Sequence, residues 1–163
     1  MISSQITLRA FNLSDAKRVA ELAGDAEIAR WTANIPHPYH ESDARQWIQR
    51  MTADVERFPF AVESDGVLVG CVSFWPYRDQ CVEVGYWIGR NYWGNGIASK
   101  ALRIMLAEKL PGDITHVVAK TMAGNIGSQS VLIKCGFRFE SECDVIKKGE
   151  HVPGHFYSRL CDS

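Results

Sequence analysis

The sequence contains no apolar run that approaches the ~20 residues needed to span a membrane. It also has no signal-peptide pattern at its start, where residues 1–10 resemble a strand and place no charged segment before an apolar one. Internal repeats and long linkers rich in Pro, Gly or Ser are absent as well. We therefore expect one domain over residues 1–163, in the cytoplasm and without a membrane partner.

Cysteine occurs only five times and in no CxxC pair. The positions are Cys71, Cys81, Cys135, Cys143 and Cys161. An odd number without paired spacing argues against a disulfide framework and against a zinc knot. No group of His, Cys, Asp or Glu has metal-ligand spacing either. The sequence therefore predicts a reduced compartment, no metal, and cysteines that are buried as small apolar side chains.

Neither sign of charge is in excess, since 18 Lys and Arg residues face 19 Asp and Glu residues and the net charge is −1. A general electrostatic attraction to nucleic acid or to an anionic membrane is therefore not expected. Hydrophobic residues make up 46% and charged residues 23% of the chain, as is typical of a globular domain.

Hydrophobic periodicity predicts seven strands and four helices in the order β-α-α-β-β-β-α-β-α-β-β. The strands are predicted at residues 6–11, 58–63, 67–75, 81–89, 116–122, 137–145 and 155–160, the last two flanking a solvated turn at Lys147 and Lys148. The helices are predicted at about 14–24, 43–55, 97–110 and 125–135, and residues 25–40 are predicted to be irregular. This order predicts an α/β domain, layered in the α+β manner, with a mixed sheet.

The start of the second predicted helix has two candidate N-caps, Ser42 and Asp43. Asp43 has Gln46 three residues later, which gives a box-like pair and favours Asp43 as the cap. Five apolar residues then recur on one helical face, and they are Ala44, Trp47, Ile48, Met51 and Val55.

The most informative block runs from residue 83 to residue 98, as a strand, a glycine loop and a helix start. Backbone N–H groups in the first turn of a helix have no internal partner, and the helix dipole adds partial positive charge there. Glycines let a bulky anion approach these groups, so the block predicts an anion cradle that would suit a diphosphate. A purely structural strand-to-helix turn is the alternative interpretation.

This loop differs from two common nucleotide-binding motifs. It does not end in the Gly-Lys-Ser/Thr of a P-loop, which disfavours hydrolysis of a nucleoside triphosphate. It also lacks the full GxGxxG and the βαβ repeat of a dinucleotide-binding fold.

Two longer motifs lie about 30 residues apart on this chain. Residues 93–98 match the pattern Q/R-x-x-G-x-G/A at Gly96 and Ala98, while Trp93 stands in place of Gln or Arg. Residues 125–137 match the pattern N-x-x-S-x-x-V-L-x-K-x-G-F. With these motifs the chain resembles the GNAT superfamily of acetyl-CoA-dependent N-acetyltransferases, and within it the ribosomal-protein N-terminal acetyltransferase branch. The resemblance covers roughly residues 5–160 and implies a mixed, mostly antiparallel central sheet of about seven strands flanked by four helices.

The resemblance also implies where a cofactor would lie. Acetyl-CoA is expected along the strand at residues 83–88, with its diphosphate on the backbone amides of residues 93–98. The cofactor-binding residues implied in this way are Trp87, Ile88, Trp93, Gly94, Asn95, Gly96, Ile97, Ala98 and Asn125. The replacement at Trp93 affects one side-chain contact, whereas the backbone cradle does not depend on it. Asn125 is in addition expected to be a helix N-cap.

A carboxylate and a hydroxyl are the candidate catalytic groups. Glu83 sits in an otherwise apolar strand, where desolvation would raise its pKa toward the range of a general base. The resemblance implies that Glu83 deprotonates the acceptor amine through water and that Ser128 protonates the CoA thiolate. A surface position or a structural ion pair is the alternative for Glu83. For Ser128 the alternative is a polar first-turn residue, and Tyr157 is the alternative acid.

The sequence thus favours an N-acetyltransferase that moves an acetyl group directly to a primary amine in a ternary complex. A protein or peptide N-terminus is the expected acceptor, because residues 25–40 contain only Asp25 and Glu27 as acids to attract a polycation. The candidate substrate-binding residues in that stretch are Trp31, His37 and His40. A small-amine (antibiotic or polyamine) acetyltransferase and a non-catalytic acyl-CoA-binding module are the alternatives. Exposed aromatic surface around Trp31 or Trp75 would favour a homodimer.

Overall fold

Seven strands form one mixed sheet in the computed structural model of the protein, which describes residues 4–161. The strands are β1 Ile6–Arg9, β2 Phe58–Ser64, β3 Val67–Arg78, β4 Cys81–Ile88, β5 His116–Met122, β6 Arg138–Lys147 and β7 Glu150–Leu160. Their order across the sheet is β1-β2-β3-β4-β5-β7-β6. Every neighbouring pair is antiparallel except β4 and β5, which are parallel. The predicted mixed, mostly antiparallel sheet is confirmed.

Helices cover both faces of this sheet. They are α1 Ala16–Ala23, α2 Ala26–Trp31, α3 Glu41–Ala53, α4 Ile97–Glu108 and α5 Ile126–Lys134. The larger core lies under α4 and α5, where Leu102, Met105 and Leu132 are fully buried against strand residues. A second core lies under α1 and α3 on the opposite face, with Val19 and Ile48 at its centre. The four longer helices are the four that periodicity predicts.

The stretch predicted to be irregular contains helix α2. The carboxylate of Asp25 accepts a hydrogen bond from the backbone N–H of Glu27 at 2.9 Å and so caps this short helix. A local side-chain cap stabilises the first turn of a helix without any long apolar repeat. Six residues are too few to display such a repeat, which is why the prediction was wrong here.

Helix α3 begins earlier than predicted, with its N-cap three residues before Asp43 and two before Ser42. Its N-cap is His40, whose backbone N–H donates to the Asp43 carboxylate at 2.8 Å. Asp43 therefore lies inside the first turn and is not the cap. The helix also ends at Ala53, and Val55 is 85% exposed beyond it, so Val55 does not extend the apolar face.

The hairpin of β6 and β7 is longer than predicted, because β7 begins at Glu150. Lys147, at its tip, does not lie in a solvated turn. Its ammonium donates to the carbonyl oxygen of Ala29 at 2.9 Å and also to that of Arg30. These are carbonyls of the last turn of α2, which have no partner within the helix. Lys147 therefore fastens the hairpin to α2.

The parallel pair β4 and β5 separates along its length. The two strands are in register from Cys81 and His116 as far as Val84 and Ala119. Beyond that point β4 continues to pair with β3 as far as Ile88, and β5 continues to pair with β7 as far as Met122. Within the described residues, the sheet therefore opens into a groove between the carboxyl-terminal halves of β4 and β5.

Candidate functional site

The glycine loop lies at the open end of this groove, between β4 and α4. Gly94 and Gly96 have φ angles of +81° and +73°, in the left-handed region that glycine adopts without strain. A Cβ atom at either position would meet no atom within 4 Å outside the glycine and its two chain neighbours. Gly96 is the N-cap of α4, so the unpaired N–H groups of the first turn border this free space. The loop has the geometry of an anion cradle.

Trp93 ties the loop to the end of β4. Its indole N–H donates to the carbonyl oxygen of Ile88 at 2.7 Å, while 45% of the residue remains exposed. The amide of Asn95 donates to the carbonyl oxygens of Tyr92 and Trp93 at 3.1 Å and 3.3 Å. The tryptophan that replaces Gln or Arg thus holds the loop in shape through a backbone contact.

The other residues predicted to bind the cofactor border the groove through their backbone. The side chains of Ile88 and Ile97 are 6% and 5% exposed, in the larger core, and Ala98 packs against it. Trp87 faces the opposite side of the sheet and packs against the core under α1 and α3. Ile97 and Ala98 therefore offer a ligand the unpaired amide groups of the first helical turn, whereas the Ile88 carbonyl already accepts from the Trp93 indole.

Ser128 lies on the α5 side of the groove and contacts Tyr86, a residue that sequence reasoning missed. The Tyr86 hydroxyl lies 2.7 Å from Ser128 Oγ and donates to the Ser128 carbonyl oxygen at 3.0 Å or to Oγ. Burial raises the pKa of the Tyr86 phenol, with the hydrogen bond to Ser128 acting in the opposite sense. A tyrosine in a core-facing position needs a polar partner, and this requirement was the available signal.

Asn125 performs the capping role that was predicted for it. Its side-chain oxygen accepts a hydrogen bond from the backbone N–H of Ser128 at 3.2 Å. This bond fixes the first turn of α5 and with it the position of Ser128. The dipole of α5 adds positive potential around the Ser128 hydroxyl, which would stabilise a nearby thiolate.

Glu83 lies on the opposite face of the sheet from Tyr86 and Ser128, because successive side chains of a strand alternate. Burial raises the pKa of this carboxyl group. Three neighbours act in the opposite sense and lower this pKa: the charge of Lys120, a hydrogen bond from the Trp75 side chain, and the charge of Arg57. A half-buried carboxylate with a raised pKa is suited to accept a proton near neutral pH.

Two aromatic residues hold the cations around Glu83. The Arg57 guanidinium lies 4.8 Å from the ring centroid of Trp75, and the Lys120 ammonium lies 5.6 Å from that of Tyr77. Trp75 is the cross-strand neighbour of Glu83 in the β3–β4 pairing. The surroundings of the Glu83 carboxylate are thus partly apolar and partly cationic. A structural ion pair alone does not describe them, because both cations also contact aromatic rings.

The residues predicted to bind the acceptor lie on three successive segments, at the end of α2, in the following connection and at the start of α3. The Trp31 ring lies against Gly124, 3.4 Å from where a Cβ of that glycine would be, just before the Asn125 cap. His40 begins α3, and His37 is exposed in the connection before it. Tyr157, the alternative acid, is only 3% exposed, and its ring packs edge-on against Phe139. Ser128, by contrast, is half-buried.

Residues 4–161 contain neither a metal-binding cluster nor a membrane-spanning helix. No group of three or more His, Cys, Asp or Glu side chains in this part of the chain could hold a metal ion. No helix within the same residues is both long enough and apolar enough to cross a membrane.

Comparison with known proteins identifies the family. Residues 5–138 match the family model described as an acetyltransferase (GNAT) domain. The chain is 27% identical over 167 residues to the “Uncharacterized N-acetyltransferase YnaD” of Bacillus subtilis, covering 98% of this chain and 95% of the relative. It is 27% identical over 112 residues to a ribosomal-protein-serine acetyltransferase of Escherichia coli, covering 64% of this chain and 61% of that protein.

A solved structure shows the same fold. It is that of RimL, a ribosomal-protein alpha-N-acetyltransferase, in complex with coenzyme A. The TM-score is 0.85 at 20% identity, and the match covers 99% of this chain and 97% of RimL. The glycine cradle and the parted strands described above fit the diphosphate and the extended arm of the same cofactor. The chain belongs to the GNAT family of acetyl-CoA-dependent N-acetyltransferases.

Proposed function

We propose that this enzyme acetylates the α-amino group of a protein or peptide N-terminus by direct transfer in a ternary complex. The observation that carries the proposal is the groove between β4 and β5, with Glu83 on one face of the sheet and Ser128 on the other. Such a groove lets the two substrates meet from opposite faces, so that orientation supplies much of the rate.

The proposed chemistry assigns one proton to each catalytic side chain. Acetyl-CoA supplies the activated thioester when it is bound. The acceptor ammonium loses a proton, which Glu83 accepts through a water molecule. This transfer frees the lone pair of the amine for attack on the acetyl carbon. Unpaired N–H groups at the edge of β4 stabilise the negative charge that develops on the carbonyl oxygen. Ser128 donates its proton to the sulfur atom as the C–S bond breaks and accepts the second proton that the former amine nitrogen loses, so that the product amide is neutral and the serine hydroxyl is restored.

The surroundings of α2 favour a peptide over a polycation. Asp25 caps α2 and lies 3.6 Å from the Arg90 guanidinium, and Glu27 lies 3.5 Å from that of Arg30. Both acids of residues 25–40 are therefore already compensated. The names of the Escherichia coli relative and of RimL also indicate ribosomal proteins as acceptors in that branch.

One observation favours a small polycationic amine as a second candidate. An open cleft of about 430 Å³ lies beside the end of β5, and Glu142 and Asp144 contribute two carboxylates to its lining. Cationic amines are attracted to such a surface, although Asp144 also lies 3.5 Å from His151.

Release of free thiol from acetyl-CoA separates these functions. The acceptors are a short peptide with a free α-amino group, the same peptide blocked at its N-terminus but carrying an internal lysine, and spermidine. We expect turnover of the free peptide and little of the other two. Faster turnover of spermidine would favour the second candidate. CoA binding without turnover of any amine would favour a non-catalytic module.

Replacing Ser128 by alanine is expected to lower kcat about 100-fold at neutral pH while leaving the Kd for CoA nearly unchanged. The reason is that a positioned proton donor contributes roughly this much to the rate of a proton-transfer step. Steady-state kinetics and calorimetric titration with CoA measure the two quantities.

Ser42→Ala is the matched control, because Ser42 is also a first-turn serine, on α3, and is exposed. It should retain wild-type kcat. A Ser128→Ala enzyme with wild-type kcat would restrict Ser128 to its structural role in the first turn of α5.

A further inference from the structure

Thr121 carries a hydroxyl group that has no partner inside the protein. It is 5% exposed, and among the described residues its Oγ1 is the one buried side-chain oxygen or nitrogen without a hydrogen bond. A buried polar group without a partner costs free energy that an isosteric valine would not cost. Such an atom is free to bond a polar group of a ligand that packs against it.

Thr121 is located on the wall of the groove. It follows Ala119, the last β5 residue in register with β4, by two positions, so the two side chains point to the same face. Tyr86 follows Val84, the partner of Ala119, by the same two positions on β4. Thr121 and Tyr86 thus lie on opposite walls of the groove, two residues past the last paired position of each strand, at the first open position on their face of the sheet.

The two walls differ in how their hydroxyl groups are satisfied. Tyr86 is hydrogen bonded to Ser128, 2.7 Å away, while the buried Thr121 hydroxyl on the opposite wall has no partner. The phosphate cradle lies at the far end of β4, beyond Ile88. A ligand that reaches Thr121 is therefore a long, extended molecule with polar groups well away from its phosphates.

We propose that the Thr121 hydroxyl binds the pantetheine arm of coenzyme A. This arm carries amide N–H and C=O groups, and a hydroxyl can donate to or accept from either of them. The inference depends on acetyl-CoA lying in the groove, as in the proposed function. It adds a residue that contacts the pantetheine arm and does not contact the nucleotide.

Two substitutions test this role. Thr121→Val keeps the shape and removes the hydroxyl, whereas Thr121→Ser keeps the hydroxyl. Calorimetry gives Kd for CoA and for adenosine bisphosphate, which lacks the arm. We expect Thr121→Val to raise the Kd for CoA about fivefold, the value of one neutral hydrogen bond. The Kd for adenosine bisphosphate should not change, and Thr121→Ser should bind CoA like the wild type.

The stability of the unliganded protein provides a second readout. Thr121→Val should melt at the same temperature as the wild type or higher, because no internal hydrogen bond is lost. A lower melting temperature with an unchanged Kd for CoA would overturn the inference, since it would mean that the hydroxyl is satisfied without the cofactor. An equal loss of affinity for both ligands would overturn it as well.

The outcome is separable from that of the proposed function. If the wild type does not acetylate the peptide but Thr121→Val still weakens the binding of CoA selectively, the acceptor assignment is wrong and the role of Thr121 is supported. If the wild type acetylates the peptide and Thr121→Val binds CoA normally, the role of Thr121 falls alone.

Discussion

Replacing Gly96 by valine is expected to weaken CoA binding by about 100-fold or more, the equivalent of two charge-assisted hydrogen bonds. The Cβ of the new side chain would meet no atom within 4 Å outside its own residue and the two chain neighbours, and it would project into the space that an anion needs to reach the amides of α4. The branched side chain also disfavours the left-handed φ of +73° that holds the loop open. Both effects close the cradle.

A thermal-shift titration with CoA measures this loss. At 100 times Kd a ligand that binds only the folded state adds ~2.7 kcal/mol of stability, which raises the melting temperature by several degrees at this size. The wild type should show this rise and Gly96→Val should not.

The matched control for backbone strain is Gly66→Val. Gly66 lies in the turn between β2 and β3, with a φ of +84° and equally free space around a Cβ atom. This variant should lose stability to a similar degree and still bind CoA. Wild-type CoA affinity in Gly96→Val would show that the loop is only a turn.

Glu83→Gln is expected to lower kcat about 100-fold near neutral pH, since general-base catalysis contributes roughly that factor or more. The Kd for CoA should not change, because Glu83 lies on the face of the sheet opposite Ser128. In the wild type the rate falls as pH drops through the raised pKa of Glu83 and the carboxylate becomes protonated. The variant depends on amine that is already deprotonated, so its rate should climb as pH rises through about 8.

The pH profile of kcat/KM over the range from acid to mildly alkaline therefore tests the assignment. A wild-type profile in Glu83→Gln would exclude Glu83 from proton transfer. Glu63→Gln is a suitable control, because Glu63 is a strand carboxylate that lies 3.1 Å from the Arg9 guanidinium in a structural ion pair. It should lose stability and retain the shape of the profile.

The same pKa shift predicts a difference in stability. Because burial raises the folded-state pKa of Glu83 above its unfolded value, the folded protein binds more protons in that window, and stability falls as pH rises through it. Glu83→Gln lacks this contribution. It should therefore be at least as stable as the wild type at neutral pH, with the difference shrinking in acid.

Sequence periodicity was sufficient for the elements that bury a long apolar face. Helix α4 and strands β2 to β5 repeat their apolar residues over enough positions to reveal both type and location. Helix α2 was not predicted, because its stability comes from the Asp25 cap and from Lys147. The Lys147 ammonium donates to a carbonyl of α2 that lies 118 residues away in the chain. Contacts between distant segments leave no periodic signal in a single sequence.

The candidate site divides in the same way. The glycine cradle is local, so residues 93–98 reveal it directly through glycine spacing and a helix start. The positions of Tyr86 and Thr121 in the groove follow only from the register of β4 and β5, which sets both side chains just beyond the point where the strands part. The indole contact of Trp93 to Ile88 likewise depends on how the loop folds back.

Because β4 and β5 part after Val84 and Ala119, two open strand edges lie in the middle of the sheet and not at its border. An open edge is a template on which another extended chain can add, so proteins normally shorten, charge or cover such edges. In this fold the arm of the cofactor can take the place of a missing strand. With acetyl-CoA in the groove, as we propose, the backbone groups that would invite self-association in the empty protein are the groups that bind the acetyl donor.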